Sequence, residues 1–197
     1  MAFVRTHYNN IATAAFLSLL LLLSIFGSGC SDEFKNRKAL EKMLGQEIRF
    51  PDSLKIINRD QVEDSSLLSL DNKIKLVFYI SPDECSTCRI SSIYTVDTLF
   101  KIIPPTMFVP VVIVSPDEET RDETIKKLYD GWFDFPIYDD ILSEFTDINK
   151  FIPKSSSFHA FLLDRNDRIA LVGDPTRNRQ ILELYIKSLP NLAEAQD

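Results

Sequence analysis

The residues best suited to chemistry are Cys85 and Cys88, in the run Cys85-Ser86-Thr87-Cys88. Two thiols three residues apart on a first helical turn can close a disulfide with little backbone movement. The run follows an apolar stretch, Ile74 to Ile80, and a breaker, Ser81-Pro82-Asp83-Glu84. It opens a segment with apolar residues at Ile90, Ile93, Tyr94, Val96 and Phe100, which is helical spacing. A helix start carries unpaired N–H groups and partial positive charge, which favours a thiolate on the first cysteine. On this reading Cys85 attacks a substrate disulfide, and Cys88, one turn deeper, resolves the mixed disulfide.

Three other uses of the pair stay open on the residues alone: a stapling disulfide, half of a zinc site, or inert thiols. A four-residue loop makes a weak staple, worth only about 2 kcal/mol in the chain-entropy view. A c-type haem would need His after Cys88, where the residue is Arg89. His159 is the obvious further soft ligand. It is expected as a surface or sheet-face histidine on a strand, with partnership to the Cys85 thiolate or a third metal-ligand role as the sharper alternatives. Asp83 and Glu84 oppose a thiolate at Cys85, and Arg89 favours it, so a reducing or moderate couple is expected.

Composition narrows the classes. The 197 residues carry a formal charge of −7, which argues against a nucleic-acid binder because phosphate neutralisation requires a basic surface. Five Gly and no GxGxxG or GxxxxGK run give a nucleotide loop no support. Two His and three Cys are too few for a His-rich metal site or a multi-disulfide framework.

The elements that must position the cysteines follow from periodicity. An amphipathic helix is predicted over Phe34 to Leu44, ending near Gly45, and an edge strand or turn over Glu47 to Leu54. Ile74 to Ile80 and Phe108 to Val114 read as buried strands, with the Cys85 to Phe100 helix between them. A helix opens at Ser115-Pro116-Asp117 and runs towards Gly131, a C-cap. Phe133 to Tyr138 is a short strand, followed by a helix within Asp139 to Asp147. Phe158 to Leu163 and Arg168 to Val172 form a hairpin across Asp164-Arg165-Asn166-Asp167. Asp174-Pro175 starts a last helix that ends near Pro190. The order predicts an α/β fold: a mixed central sheet with a right-handed parallel crossover, an antiparallel hairpin, and helices on both faces.

The strand–CxxC–helix unit, the strand Phe108 to Val114, Phe135-Pro136-Ile137-Tyr138-Asp139, and Phe161 to Ile169 together resemble the thioredoxin-like superfamily. The likeness is to its membrane-anchored, extracytoplasmic TlpA-type thiol–disulfide oxidoreductases, and it spans about Lys73 to Leu189. It implies a thioredoxin-like fold with Cys85 and Cys88 as the redox pair, and no organic cofactor beyond that redox-active disulfide. Partners would be protein thiols and disulfides and an electron donor that the sequence does not name. The chain departs from the family pattern at Glu84, where an aromatic is usual, and at Thr87, where Pro is frequent. It departs again at Phe158, which stands where the family places a cis-proline, with His159 after it. A thioredoxin-fold binding or scaffold protein with little turnover, and a metal-handling protein using Cys85, Cys88 and His159, are the alternatives.

The N-terminus reads as an address. Arg5 precedes a 16-residue apolar stretch, Ile11 to Phe26, and then Gly27-Ser28-Gly29-Cys30. This is shorter than the ~20 apolar residues that a spanning helix needs. It resembles the lipobox of bacterial lipoproteins, with Gly27 where Leu is usual, and implies lipidation of Cys30. Residues 1–29 are then a signal peptide, 30–72 an N-terminal helix and linker, 73–190 the thioredoxin-like domain and 191–197 a tail. Loss of the signal removes Arg5 and no acid, moving the charge to −8. The expected location is the bacterial cell envelope, anchored to the inner or outer membrane through lipid at Cys30, with the domain outside the cytoplasm.

Overall fold

A computed structural model of the chain describes residues 32–57, 62–64, 70, 72–84, 99, 101–104, 106–131 and 135–194. Cys30, Cys85, Cys88 and Arg89, the signal segment, and the helix expected over Cys85 to Phe100 apart from Leu99 lie outside the described residues. The chain divides into a unit from Met1 to Glu41 and a unit from Lys42 to Asp197. No described helix is long and apolar enough to cross a membrane.

Helix α1 covers 32–43 and stops at Gly45, whose left-handed φ of 76° favours glycine. The strands are β1 (Lys55–Ile57), β2 (Val62–Asp64), β3 (Lys75–Ile80), β4 (Val109–Val114), β5 (Ile137–Asp139), β6 (Ala160–Leu163) and β7 (Ile169–Val172). They form one mixed sheet in the order β2-β1-β5-β4-β3-β6-β7. β3, β4 and β5 are parallel neighbours, whereas β6 and β7 extend the sheet antiparallel beside β3. The mixed sheet and its terminal hairpin therefore agree with expectation. β1 and β2 add an antiparallel pair on the far edge that the apolar pattern does not reveal.

Central strands β3 and β4 are buried on both faces, as their near-continuous β-branched and aromatic runs require. On one face Leu76, Phe78, Ile80, Val112, Val114 and Ile137 pack with Leu128 of α2 (Arg121–Asp130) and Tyr185 and Leu189 of α4 (Arg179–Glu194). On the other, Phe145 of α3 (Phe145–Ile148) sits 5.0 Å from the Tyr79 ring and 6.3 Å from Phe50. Both faces are covered, as the alternation of β3 demands.

Several boundaries differ from expectation, each for a local reason. Of the edge strand or turn expected over Glu47 to Leu54, the turn is found: the Leu54 N–H donates to the Pro51 carbonyl at 3.4 Å, and the only isolated bridge among the described residues is Glu47 to Arg168. Within it Arg49 is held by a side chain: Asn149 accepts from the Arg49 N–H at 2.9 Å and donates to the Arg49 carbonyl at 2.7 Å. The Asn149 amide thus replaces a neighbouring strand, so Asn149→Ala should lower stability by about 2 kcal/mol, read in urea unfolding. The helix expected within Asp139 to Asp147 is the four-residue α3, ending one residue beyond that range; Asp140 holds its start, accepting from the N–H groups of Glu144 and Phe145, each at 3.0 Å. The strand expected from Phe133 begins at Ile137. Helix α2 starts at Arg121, since Asp117 takes hydrogen bonds from the Thr120 N–H and hydroxyl in a turn ahead of it. Gly131 does follow the helix, but with extended φ of −74° rather than a left-handed cap.

The last helix begins later than Asp174-Pro175 predicts. Asp174 turns back onto Thr176, and Asn178 accepts from the N–H groups of Gln180 and Ile181 at 2.8 and 3.2 Å. The helix also runs past Pro190 to Glu194. Pro190 stands inside the helix, where it forfeits the N–H bond to the carbonyl one turn earlier and its ring crowds that carbonyl. Asn178→Ala should cost about 1 kcal/mol by loss of that cap, measured by the same unfolding midpoint.

Candidate functional site

The C-terminal end of β3 leads directly to the cysteine motif. The turn Ser81 to Glu84 is closed by the Glu84 N–H donating to the Ser81 carbonyl at 3.1 Å, and Cys85 is the next residue in the chain. Because β6 runs antiparallel to β3, with Phe78 opposite Ala160, the start of β6 lies beside the end of β3. The ladder continues one step further, with the Tyr79 N–H donating to the His159 carbonyl at 2.8 Å. Strand pairing therefore carries His159 to Glu84 across 75 positions of sequence.

His159 is neither at the surface nor on a strand, so both parts of that expectation are corrected. It follows a 3-10 turn, Ser156–Phe158, and its side chain is only 1% exposed. Its Nδ1 lies 2.6 Å from Glu84 Oε1, and its Nε2 lies 2.9 Å from the Pro153 carbonyl oxygen. A carbonyl oxygen only accepts, so Nε2 carries a hydrogen. Nδ1 then faces a carboxylate oxygen at a separation that requires a proton between them, whichever atom holds it. Ser81 also donates to Glu84 Oε1 at 3.3 Å. As arranged, His159 has no ring nitrogen left for a metal, which removes it as the third ligand to Cys85 and Cys88. Among the described residues no three His, Cys, Asp or Glu groups cluster as metal ligands.

Phe158 is buried and closes the 3-10 turn, where a strand start was expected. No peptide bond among the described residues is cis, so the loop passes Phe158 in the trans form that a non-proline residue favours. Behind His159, the Tyr79 ring meets the imidazole edge-on at 5.1 Å. Burial pushes the Tyr79 phenol up, with the charges of Asp140 and Glu84 adding and Ser115 and Thr146 opposing, so the phenol stays neutral at physiological pH. Asp140, fully buried, accepts from the Ser115 hydroxyl at 2.7 Å and anchors α3 under this end of the sheet.

In front lies a cleft of about 490 Å³, whose lining includes Ser81, Pro82, Asp83, Asp147, Lys150 and His159. It opens at the carboxyl ends of the parallel strands, where α/β sheets take their ligands.

The arrangement matches solved structures over most of its length. A candidate thiol:disulfide interchange protein DsbE of Chlorobium tepidum aligns with TM-score 0.51 at 19% identity, covering 74% of this chain and 96% of its own. A thioredoxin-like superfamily protein aligns at 0.50 and 13% identity, covering 77% and 97%. The fold is thioredoxin-like. A candidate electron transfer protein of Aquifex aeolicus aligns at 0.50 and 16% identity, covering 78% and 99%. No family model matches the chain, and no curated protein matches it.

On this thioredoxin-like frame the structure joins two residues that sequence reasoning treated separately, Glu84 and His159. It also adds Tyr79, Asp140 and the Pro153 carbonyl, which that reasoning did not assign to the site. The signal that could have found them is the hairpin register, since antiparallel pairing of β6 with β3 fixes which loops meet.

Proposed function

We propose that the chain is a thiol–disulfide oxidoreductase acting on extracytoplasmic protein disulfides and tethered to a bacterial membrane through lipid at Cys30. This reading is supported by the turn Ser81 to Glu84 at the end of central strand β3 of a thioredoxin-like sheet, which Cys85 follows directly in sequence. The TlpA-type resemblance of the sequence and the DsbE likeness of the fold support it.

The step balances without a cofactor. The Cys85 thiolate attacks one sulfur of a substrate disulfide, forming a mixed disulfide and releasing the other substrate sulfur as a thiolate. The Cys88 thiolate then attacks Cys85, which closes the Cys85–Cys88 disulfide and frees the second substrate sulfur. The substrate gains two electrons, and the protein loses two. A dithiol donor returns them by the same exchange in reverse.

A second reading, a thioredoxin-fold binding protein with little turnover, is favoured by Phe158, a buried phenylalanine in trans where substrate handling would use proline. Catalysed reduction of insulin by the purified chain with dithiothreitol separates the two. A rate clearly above the uncatalysed background supports exchange, and a rate equal to it supports binding alone. For the tether, Cys30→Ala is expected to move the protein from the membrane to the soluble fraction, because no acyl chains remain to bury. Retention on membranes would contradict lipidation at Cys30.

A further inference from the structure

The contact between Glu84 and His159 has a chemical consequence for the residue that follows Glu84. A glutamate immediately before Cys85 would set a negative charge against thiolate formation there. Yet this carboxylate is mostly buried and meets His159 Nδ1 at 2.6 Å, while Nε2 is committed to the Pro153 carbonyl as a donor. With Nε2–H fixed, the pair holds one further proton between Oε1 and Nδ1. It is neutral overall whether that proton sits on the carboxyl or on the ring.

We propose that His159 is a positioning residue that binds Glu84 through a shared proton and so cancels the negative charge on the residue preceding Cys85. The proposal rests on the exchange reading of Cys85 and Cys88. It explains how a chain with Glu84 in that position keeps its nucleophile reactive: the acid is present, but its charge is cancelled across the sheet. The histidine reaches it because β6 pairs with β3, and Tyr79 backs the imidazole from the side. Other charged groups around this end are Asp83, Asp147, Lys150 and Lys154 on the cleft wall, Asp140 behind Tyr79, and Arg89 just after the motif in sequence.

The two halves of the pair are chemically unequal, which makes the role testable. In His159→Gln the carboxylate keeps its charge and loses its counter-proton. In Glu84→Gln both partners are neutral, as the pair already is. The purified full chain, reduced, is alkylated with iodoacetamide from about pH 5 to pH 10, and modified Cys85 is quantified by peptide mass spectrometry. His159→Gln is expected to raise the Cys85 titration midpoint by about one pH unit, roughly a tenfold loss of thiolate at a fixed pH below it. Glu84→Gln should stay within about 0.3 unit of the parent, and the double variant should return towards it.

A merely structural contact would be broken alike from either side. Equal shifts in the two single variants, or no shift in His159→Gln, would overturn the proposal. Where His159→Gln is too unstable to assay, Glu84→Gln decides, and a rise of about one unit there overturns it. Failure of Cys85 and Cys88 to form a disulfide would instead overturn the exchange reading itself. A couple that forms normally, with Cys85 titrating alike in all variants, overturns only the role of His159.

Discussion

Cys85→Ser is expected to reduce insulin no faster than dithiothreitol alone, a complete loss of the catalysed part of the rate. The serine hydroxyl is not ionised near neutral pH and forms no stable bond to sulfur, so the first step of exchange has no nucleophile. Cys88→Ser should fail differently. Its Cys85 still attacks a substrate disulfide, but nothing resolves the product, and the chain accumulates as a covalent adduct visible on a non-reducing gel. The contrast between an inert variant and a trapped one is the signature of two unequal thiols. If both substitutions left insulin reduction unchanged, neither cysteine would be part of the reaction.

The largest expected effect on stability lies at the opposite end of β3. Lys75 is the first residue of this central strand and its side chain is only 2% exposed, an unusual place for an ammonium group. Its Nζ pairs with Asp167 at 2.6 Å and donates to the Lys73 carbonyl at 3.1 Å. Asp167 stands in the β6–β7 turn with φ of 59°, a left-handed conformation that Asp and Asn adopt more readily than other side chains. Asp167→Asn keeps that backbone preference and removes only the charge, leaving the Lys75 ammonium buried against a neutral partner. We expect a loss of about 3 kcal/mol, at the low end for a broken buried pair because the aspartate side chain is 30% exposed. Lys75→Met combined with Asp167→Asn should recover most of it, since an apolar residue of similar length fills the same space without a charge to desolvate. Urea unfolding of the three variants checks this, and a double variant weaker than Asp167→Asn would contradict it.

The parts of the fold legible in the sequence are those where one short-range rule dominates. The runs Ile74 to Ile80 and Phe108 to Val114 could only be buried strands between breakers, and they are β3 and β4 to within a residue. The hairpin was visible in Asp164-Arg165-Asn166-Asp167, although its first strand starts two residues later, because Ser156–Phe158 winds into a 3-10 turn. What was hidden depends on contacts distant in sequence. β1 and β2 are three residues each, and Val62-Glu63-Asp64 carries no apolar alternation to announce a strand. Asp174 looked like a helix cap, but its side chain satisfies Thr176 instead, and the capping passes to Asn178. Glu84 and His159 were each recognisable as neighbours of the motif. Their pairing was not, because it follows from strand register and from a carbonyl at Pro153 that fixes the ring. The expectation that Glu84 opposes the thiolate counts its charge alone; the proposed role of His159 is the alternative that alkylation of the variants decides.

The reduction potential of the Cys85/Cys88 couple is the most direct measurement, obtained by equilibrating the full chain in graded glutathione or dithiothreitol buffers and quantifying the linked peptide. We predict a single two-electron transition between about −270 and −180 mV, the span from reducing to moderate thioredoxin-fold proteins. A chain in which these two sulfurs never join, or a transition near the roughly −120 mV of a strong disulfide donor, would contradict it.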